Sequence, residues 1–333
     1  MIQLSPSSRG VLKQYRINAR KLLRRNLVGG HIVRQMGQSL DFHDFARYSP
    51  GDDIRHIDWQ TTLRAHGPDG MHNIDNWLIR RFSAEEHFKM FISLDMRSTM
   101  RLPRMQPWRD KNVAPPDISR LQLAMWIAEA LTLSVLDLKD EVIWHSLFEF
   151  KGIDVHRVRN ANQIAEIYNQ VKQVIATDKA QPTDKQEMIN LAPLNRYLPP
   201  AGIWIILTDF YFTQETGVQL VKRVQQAQQG RRWIILIDLD SWNYERTLLA
   251  EGPRQIKGPF SPEKRLYVNE TKLTDTHTDI EEHKNNIKNR FQRVEMSQWE
   301  YPPTIETLTD FQKFFEYRFD KDQELKRLFM RDL

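Results

Sequence analysis

Cysteine is absent from the 333 residues, which excludes disulfides, thiolate catalysis and cysteine-based zinc sites. No apolar run approaches the roughly 20 residues a bilayer span needs, and no secretory apolar core follows Met1. A cytoplasmic location is the expectation, with no transmembrane segment. The phosphate-cradling Gly-x-x-x-x-Gly-Lys loop, the Gly-x-Ser-x-Gly elbow and a Gly-x-Gly-x-x-Gly after a strand are all missing. Acidic residues are missing from Met1–Leu40, which carries eight Lys or Arg. The whole chain is only +5, so charge alone gives no reason to expect nucleic acid. Exposed aromatics interleaved with that basic stretch, as single-strand binding requires, are not evident either.

What is present begins with two apolar runs. Phe88–Leu94 is rich in β-formers and stops at Asp95, and Ile203–Thr208 stops in the same way at Asp209. Short continuous apolar runs suit strands covered on both faces of a parallel sheet. In an open α/β sheet, polar groups just past the carboxyl ends of such strands face the ligand crevice. Asp95 and Asp209 are therefore the first candidate site residues, with Arg97 and Thr99 on the loop that follows Asp95.

Helical periodicity is expected over Val11–Leu27, with Leu12, Leu22 and Leu23 on its docking stripe and a basic flank that leaves peripheral membrane contact open. Further helices are expected at Ser119–Leu136, Asn162–Ala176, Lys185–Leu198 (shortened by Pro193), Thr213–Gln229, Asp279–Val294 and Leu308–Met330. Strands are expected at Glu141–Phe150, Ile153–Val158, Arg232–Asp238 and, at an edge, Arg265–Lys272. Alternating strands and helices argue for a doubly wound, mostly parallel α/β sheet. The Gly37–Arg64 segment is a dense mixture of aromatics and charges. Its acids and arginines (Asp52, Asp53, Arg55, Asp58, Arg64) alternate with Ile54, Ile57 and Trp59, a pattern suited to mutual neutralisation in a structural clamp with Trp59 largely buried. His56, His66 and His72 lack metal-ligand spacing.

The string Arg47-Tyr48-x-x-Gly51-Asp52-Asp53-x-Arg55-x-Ile57-Asp58-Trp59…Arg64, preceded by Gly37…Asp41-Phe42 and followed by Arg81-Phe82…Glu85 or Glu86 and Leu94-Asp95…Met100, resembles the signature of the MoxR-associated domain-of-unknown-function 58 family, whose members carry a von Willebrand factor A-like domain. The resemblance implies a von Willebrand factor A/Rossmann-like sheet with a small β-rich flank, in a bacterial or archaeal protein that acts beside a MoxR-type AAA+ ATPase. It divides the chain into residues 1–86 (basic helix and signature region), 87–245 (the von Willebrand factor A-like domain) and 246–333 (an extension completing the sheet and a closing helix).

Von Willebrand factor A domains hold a divalent cation on an Asp-x-Ser-x-Ser loop, a Thr and a later Asp. Carried onto this sequence, the matching positions are Asp95, Thr99, Thr183 and Asp209, a degenerate MIDAS-like set. Magnesium takes six hard oxygen ligands. Arg97 stands where the first Ser belongs, and guanidinium has five donors and no lone pair. At 4 Å from a divalent ion it would be repelled by roughly 8 kcal/mol at an effective dielectric near 20. Either Arg97 swings into solvent or it replaces the metal between Asp95 and Asp209. The expectations are thus no cofactor, with magnesium as the alternative, and a non-enzymatic adaptor for the ATPase and a client protein. The rival reading is a metal-dependent hydrolase using the Asp95/Asp209 crevice and the Asp52/Asp53/Asp58 cluster.

Overall fold

A computed structural model of the chain describes residues 1–12, 16–17, 42–70, 72–82, 89–103, 117–136, 141–149, 155–177, 188–199, 201–229, 231–250, 254–257 and 265–330. The chain forms two units, one made of Met1–Asn26 with Phe88–Leu333 and the other of Leu27–His87.

The larger unit is built on a six-stranded sheet. Its strands are β4 (Lys89–Leu94), β5 (Glu141–Ser146), β6 (Val155–Val158), β7 (Ala201–Thr208), β8 (Arg231–Asp240) and β11 (Glu295–Glu300). Their order in space is β11-β8-β7-β4-β5-β6, with every neighbouring pair parallel except β5 and β6. Numbered within the sheet this is 3-2-1-4-5-6, the doubly wound order. The strand order reverses between β4 and β7, so the crevice lies past Leu94 and Thr208.

Both faces of the sheet are covered. Met90, Ile92 and Leu94 of β4 join Ile203, Ile205 and Leu207 of β7 in one core, under the Arg120–Leu136 helix. Phe91, Trp204, Ile206, Ile234 and Leu236 point the other way, into a second core with Leu220, Val221 and Val224 of the Gln214–Gln228 helix. This two-sided burial is why the strands read as unbroken apolar runs. The Arg120–Leu136 helix is buried on nearly every side, because the chain's first residues and the aromatic Leu308–Lys321 helix cover its outer side. Among the described residues no helix is long and apolar enough to cross a membrane.

Several expected elements differ. In place of the start of a Val11–Leu27 helix, a helix runs over Pro6–Leu12 and Arg16–Ile17 forms a strand (β1) antiparallel to Phe329–Met330 (β12). Leu22 and Leu23 lie outside the described residues. The closing helix breaks at Asp322, whose Oδ1 accepts from the backbone amides of Glu324 and Leu325 and starts a new helix at Gln323. Arg265–Val268 (β10) is not an edge of the main sheet. It pairs with Arg254–Lys257 (β9) in a separate ribbon, and the next helix starts at Glu270. The sheet's sixth strand is instead Glu295–Glu300.

In the smaller unit, β2 (Phe42–Arg47) pairs antiparallel with β3 (Leu78–Phe82). The Trp59–Gly70 helix between them is interrupted where Gly67 takes φ 66° ahead of Pro68.

Candidate functional site

Asp95 leaves β4 with its amide still bonded to Leu207 O at 2.9 Å, so its backbone belongs to the sheet while its side chain enters the crevice. The carboxylate is fully buried. It accepts from the Arg97 amide (3.0 Å), Arg97 Nε (3.0 Å), Arg97 Nη2 (2.6 Å) and Thr208 Oγ1 (2.8 Å). Arg97 Nη2 also donates to Asp209 Oδ1 at 3.0 Å, and Nη1 to Tyr211 O at 2.9 Å. The guanidinium lies over the Phe148 ring at 4.5 Å and near Phe212 at 5.3 Å. Arg97 thus stands between the two carboxylates, 4% exposed, with aromatic faces excluding water around it.

The β7 side mirrors this turn. Asp209 Oδ1 accepts the Tyr211 amide at 2.9 Å, the same Asx arrangement by which Asp95 holds Arg97. Between them Phe210 sits at φ 58°, a conformation that costs a bulky residue of order 1–3 kcal/mol. Burial of its ring against Phe212 and Phe291 holds it there.

Around this centre lies a second ring of charges that sequence reading missed. Arg120, first residue of its helix, donates from Nη2 to Thr99 O at 2.6 Å. It places Nε 3.7 Å from Asp209 Oδ2 and Nη1 3.4 Å from Glu245. Lys284, from the Glu270–Lys288 helix, bridges Asp238 (3.2 Å) and Asp240 (2.8 Å) at the end of β8, and Lys288 reaches Asp238 at 2.6 Å. The Tyr211 ring lies between two of these cations, 5.0 Å from Arg120 and 4.6 Å from Lys284. Four cations, Arg97, Arg120, Lys284 and Lys288, thus meet five carboxylates, Asp95, Asp209, Asp238, Asp240 and Glu245.

Electrostatics divides the two central acids. Burial pushes Asp95 above the usual carboxylate range, Arg97 pulls against it, and the Asp209 charge adds to the rise. Asp209 is equally buried, yet Arg97, Arg120, the Tyr211 amide and Lys284 together hold it below that range. Burial likewise opposes the charge of Lys284, but Asp238, Tyr211 and Asp240 raise its pKa.

Thr99 lies on a 3-10 turn, Ser98–Arg101, beside this centre. Its Oγ1 is buried without a hydrogen-bond partner among the described residues, as is Asp209 Oδ2. Thr183 lies outside the described residues. The set does not fit magnesium. Arg97 already takes up both Asp95 oxygens and one oxygen of Asp209, and Arg120 stands at 3.7 Å from the other. Among the described residues no three His, Asp or Glu side chains group as metal ligands.

The signature residues of the smaller unit act locally. Asp58 is the buried one: Oδ1 accepts the Thr61 amide at 2.9 Å and Oδ2 pairs with Arg80 at 2.6 Å. Thr62 Oγ1 donates to Asp58 O and accepts the Leu78 amide, tying the helix start to β3. Asp52 accepts the Ser49 amide across the turn in which Gly51 takes φ 108°, and Asp53 pairs with Arg55 at the surface. Neutralisation among the interleaved residues is present at Asp53 and Arg55, but for Asp58 and Trp59 the expectation is corrected. The buried acid's cation is Arg80, whereas Arg47 and Arg64 are exposed. Trp59 is 44% exposed rather than buried, its ring edge-on to Trp77 at 5.2 Å, with Tyr48 on Trp77's other contact at 5.6 Å. Its position in the first turn of the helix turns one face to solvent.

A second polar chain missed from sequence crosses the sheet interior. Trp204 Nε1 donates to Ser93 Oγ (2.9 Å), which is 3.0 Å from His145 Nδ1, and His145 Nε2 is 3.1 Å from Asn190 O. A carbonyl can only accept, so Nε2 carries the proton and Ser93 donates to Nδ1. Burial depresses the His145 pKa to about 4. All four groups are buried.

The chain matches no protein-family profile and no curated protein. Among solved structures it is similar to the conserved hypothetical protein BatB from Bacteroides thetaiotaomicron, at 14% identity, over 70% of this chain and 98% of that one, with a TM-score of 0.37.

Proposed function

We propose that this chain is a non-enzymatic adaptor of the von Willebrand factor A-like type, working with a MoxR-type AAA+ ATPase on client proteins in the cytoplasm. The domain-of-unknown-function 58 signature from Arg47 to Arg64 motivates the choice of partner. The observation that carries the non-catalytic reading is the occupation of the crevice by Arg97. Arg97 occupies both oxygens of Asp95 and one of Asp209, and Arg120 stands 3.7 Å from the other, so the carboxylates that could serve as base, nucleophile or metal ligand already face cations of the chain. A general base must reach a substrate proton with a free lone pair, and here the donors are internal. In this reading the cation built into the chain replaces a bound metal, so the top of the sheet is organised without one and offers a preformed contact surface.

The test is affinity capture of the tagged full chain from its native cell, with ATP and with a non-hydrolysable analogue. A MoxR-type ATPase retained in a nucleotide-dependent way is the expected result. Capture without any AAA+ ATPase in either condition refutes the partner assignment. The hydrolase reading is favoured by one observation, that Asp209 Oδ2 and Thr99 Oγ1 are buried without a hydrogen-bond partner among the described residues. Saturable magnesium stabilisation of the wild type would support it in place of the adaptor.

A further inference from the structure

The first residues of the chain lie on the Arg120–Leu136 helix in an unusual manner: helix side chains bind their backbone. Gln122 clasps Ile2 from both sides, Oε1 accepting the Ile2 amide and Nε2 donating to Ile2 O, each at 2.7 Å. Trp126 Nε1 donates to the same carbonyl at 2.8 Å. Glu129 Oε2 accepts the Leu4 amide at 3.2 Å, and Oε1 pairs with Arg9 at 2.6 Å. Positions 122, 126 and 129 fall at i, i+4 and i+7, one face of the helix.

The two sides of this contact are unequal. Gln122, Trp126 and Glu129 are all fully buried under the segment. The segment itself is only partly covered, with Leu4 and Ser8 inserted, Ile2 at 43% exposure and Arg9 at 32% for its side chain. Ser8 Oγ donates to Glu316 at 2.6 Å, on the Leu308–Lys321 helix, which also packs Phe311 and Phe315 at a tilt against Trp126. The groove floor is therefore a set of buried polar groups whose needs are met by the backbone of Ile2 and Leu4, one apolar anchor and one cation carried on the Pro6–Leu12 helix. A buried carboxylate deprived of its cation is costly, so an occupant that brings a cation to Glu129 is favoured over one that does not.

We propose that the groove between the Arg120–Leu136 and Leu308–Lys321 helices is a receptor for a peptide whose non-helical start carries an apolar anchor and whose following helical turn carries an Arg five residues later, and that Ile2–Arg9 is its tethered occupant, displaced by a partner segment of that pattern. Pairing of β1 with β12 holds the tether nearby. A tethered ligand competes at an effective concentration in the millimolar range, so the resting groove is closed to weak free peptides.

A labelled peptide of sequence Met1–Gly10 is titrated by fluorescence anisotropy into the full chain and into Arg9→Glu and Leu4→Ser variants. The first variant sets a like charge against Glu129, and the second removes the anchor without adding charge. Both should bind the peptide at least tenfold more tightly than the wild type, and the same peptide with Arg9→Glu should not bind. Equal affinity for wild type and folded variants, or no binding to either folded variant, overturns the proposal. Loss of folding in both variants also overturns it, since the segment would then be an integral part of the fold.

Discussion

Removing the Arg97 guanidinium tests the central feature of the crevice. Arg97→Met keeps much of the side-chain volume against Phe148 and Phe212 but leaves Asp95 and Asp209 buried without the cation between them. Taking one partner from a buried ion pair destabilises by about 3–5 kcal/mol. For a unit of this size each kcal/mol shifts the melting temperature by about 2–4 °C, so a fall on the order of 10 °C is expected at pH 7. The variant should then show a pH signature. With the guanidinium gone, Asp95, already held high by burial, takes up a proton that the unfolded chain does not hold above about pH 4. A raised folded-state carboxyl pKa contributes stability at low pH that is lost as pH rises, at up to about 1.36 kcal/mol per unit. The gap between variant and wild type should therefore narrow as pH falls from 7 to 5. Thermal melts followed by tryptophan fluorescence at pH 5, 6 and 7 measure both quantities. A loss under about 1 kcal/mol at pH 7, or a gap that does not change with pH, refutes the assignment of Arg97 as the internal counter-ion.

Arg97→Ser, the ligand type of the metal-binding pattern, should gain magnesium-dependent thermal stabilisation that grows with concentration while the wild type shows none; saturable stabilisation of the wild type at millimolar magnesium would contradict this. Gly202 has φ 140° in β7, and an added Cβ would stand 2.2 Å from Lys89 O, so Gly202→Ala should cost about 2–5 kcal/mol by denaturant titration. His145 titrates near 4 folded and near 6.5 unfolded; its contribution is complete above pH 6.5 and falls by about 3 kcal/mol as pH drops to 4, a loss that His145→Gln should flatten in a pH series of melts. In the smaller unit, Asp58→Ala removes a helix cap and the Arg80 pair and should cost about 1–2 kcal/mol, whereas Trp59→Ala at its half-exposed site should cost less; the reverse order in melts of that unit would restore a buried role for Trp59.

The sequence by itself determined the sheet's centre. Strands covered on both faces are written as contiguous apolar runs, and β4 and β7 are the clearest of them, so Asp95 and Asp209 were legible as crevice residues. Arg97 was legible because it acts within two residues of Asp95, where an Asx turn fixes the geometry locally. Tertiary structure alone decided the rest of the network. Arg120 and Lys284 reach Asp209, Asp238 and Asp240 across long stretches of chain, and nothing in their neighbourhoods distinguishes them from surface charges. Strand β11 was hidden because an edge strand needs only one buried face. Its sequence, Glu295-Met296-Ser297-Gln298-Trp299-Glu300, buries only Ser297 and Trp299 and becomes a strand by pairing with β8. Arg16–Ile17 fits an amphipathic helix in isolation, but backbone pairing with Phe329–Met330 makes it extended. Local pattern reports which faces are dry; which distant partner dries or neutralises them is set only when the chain closes on itself.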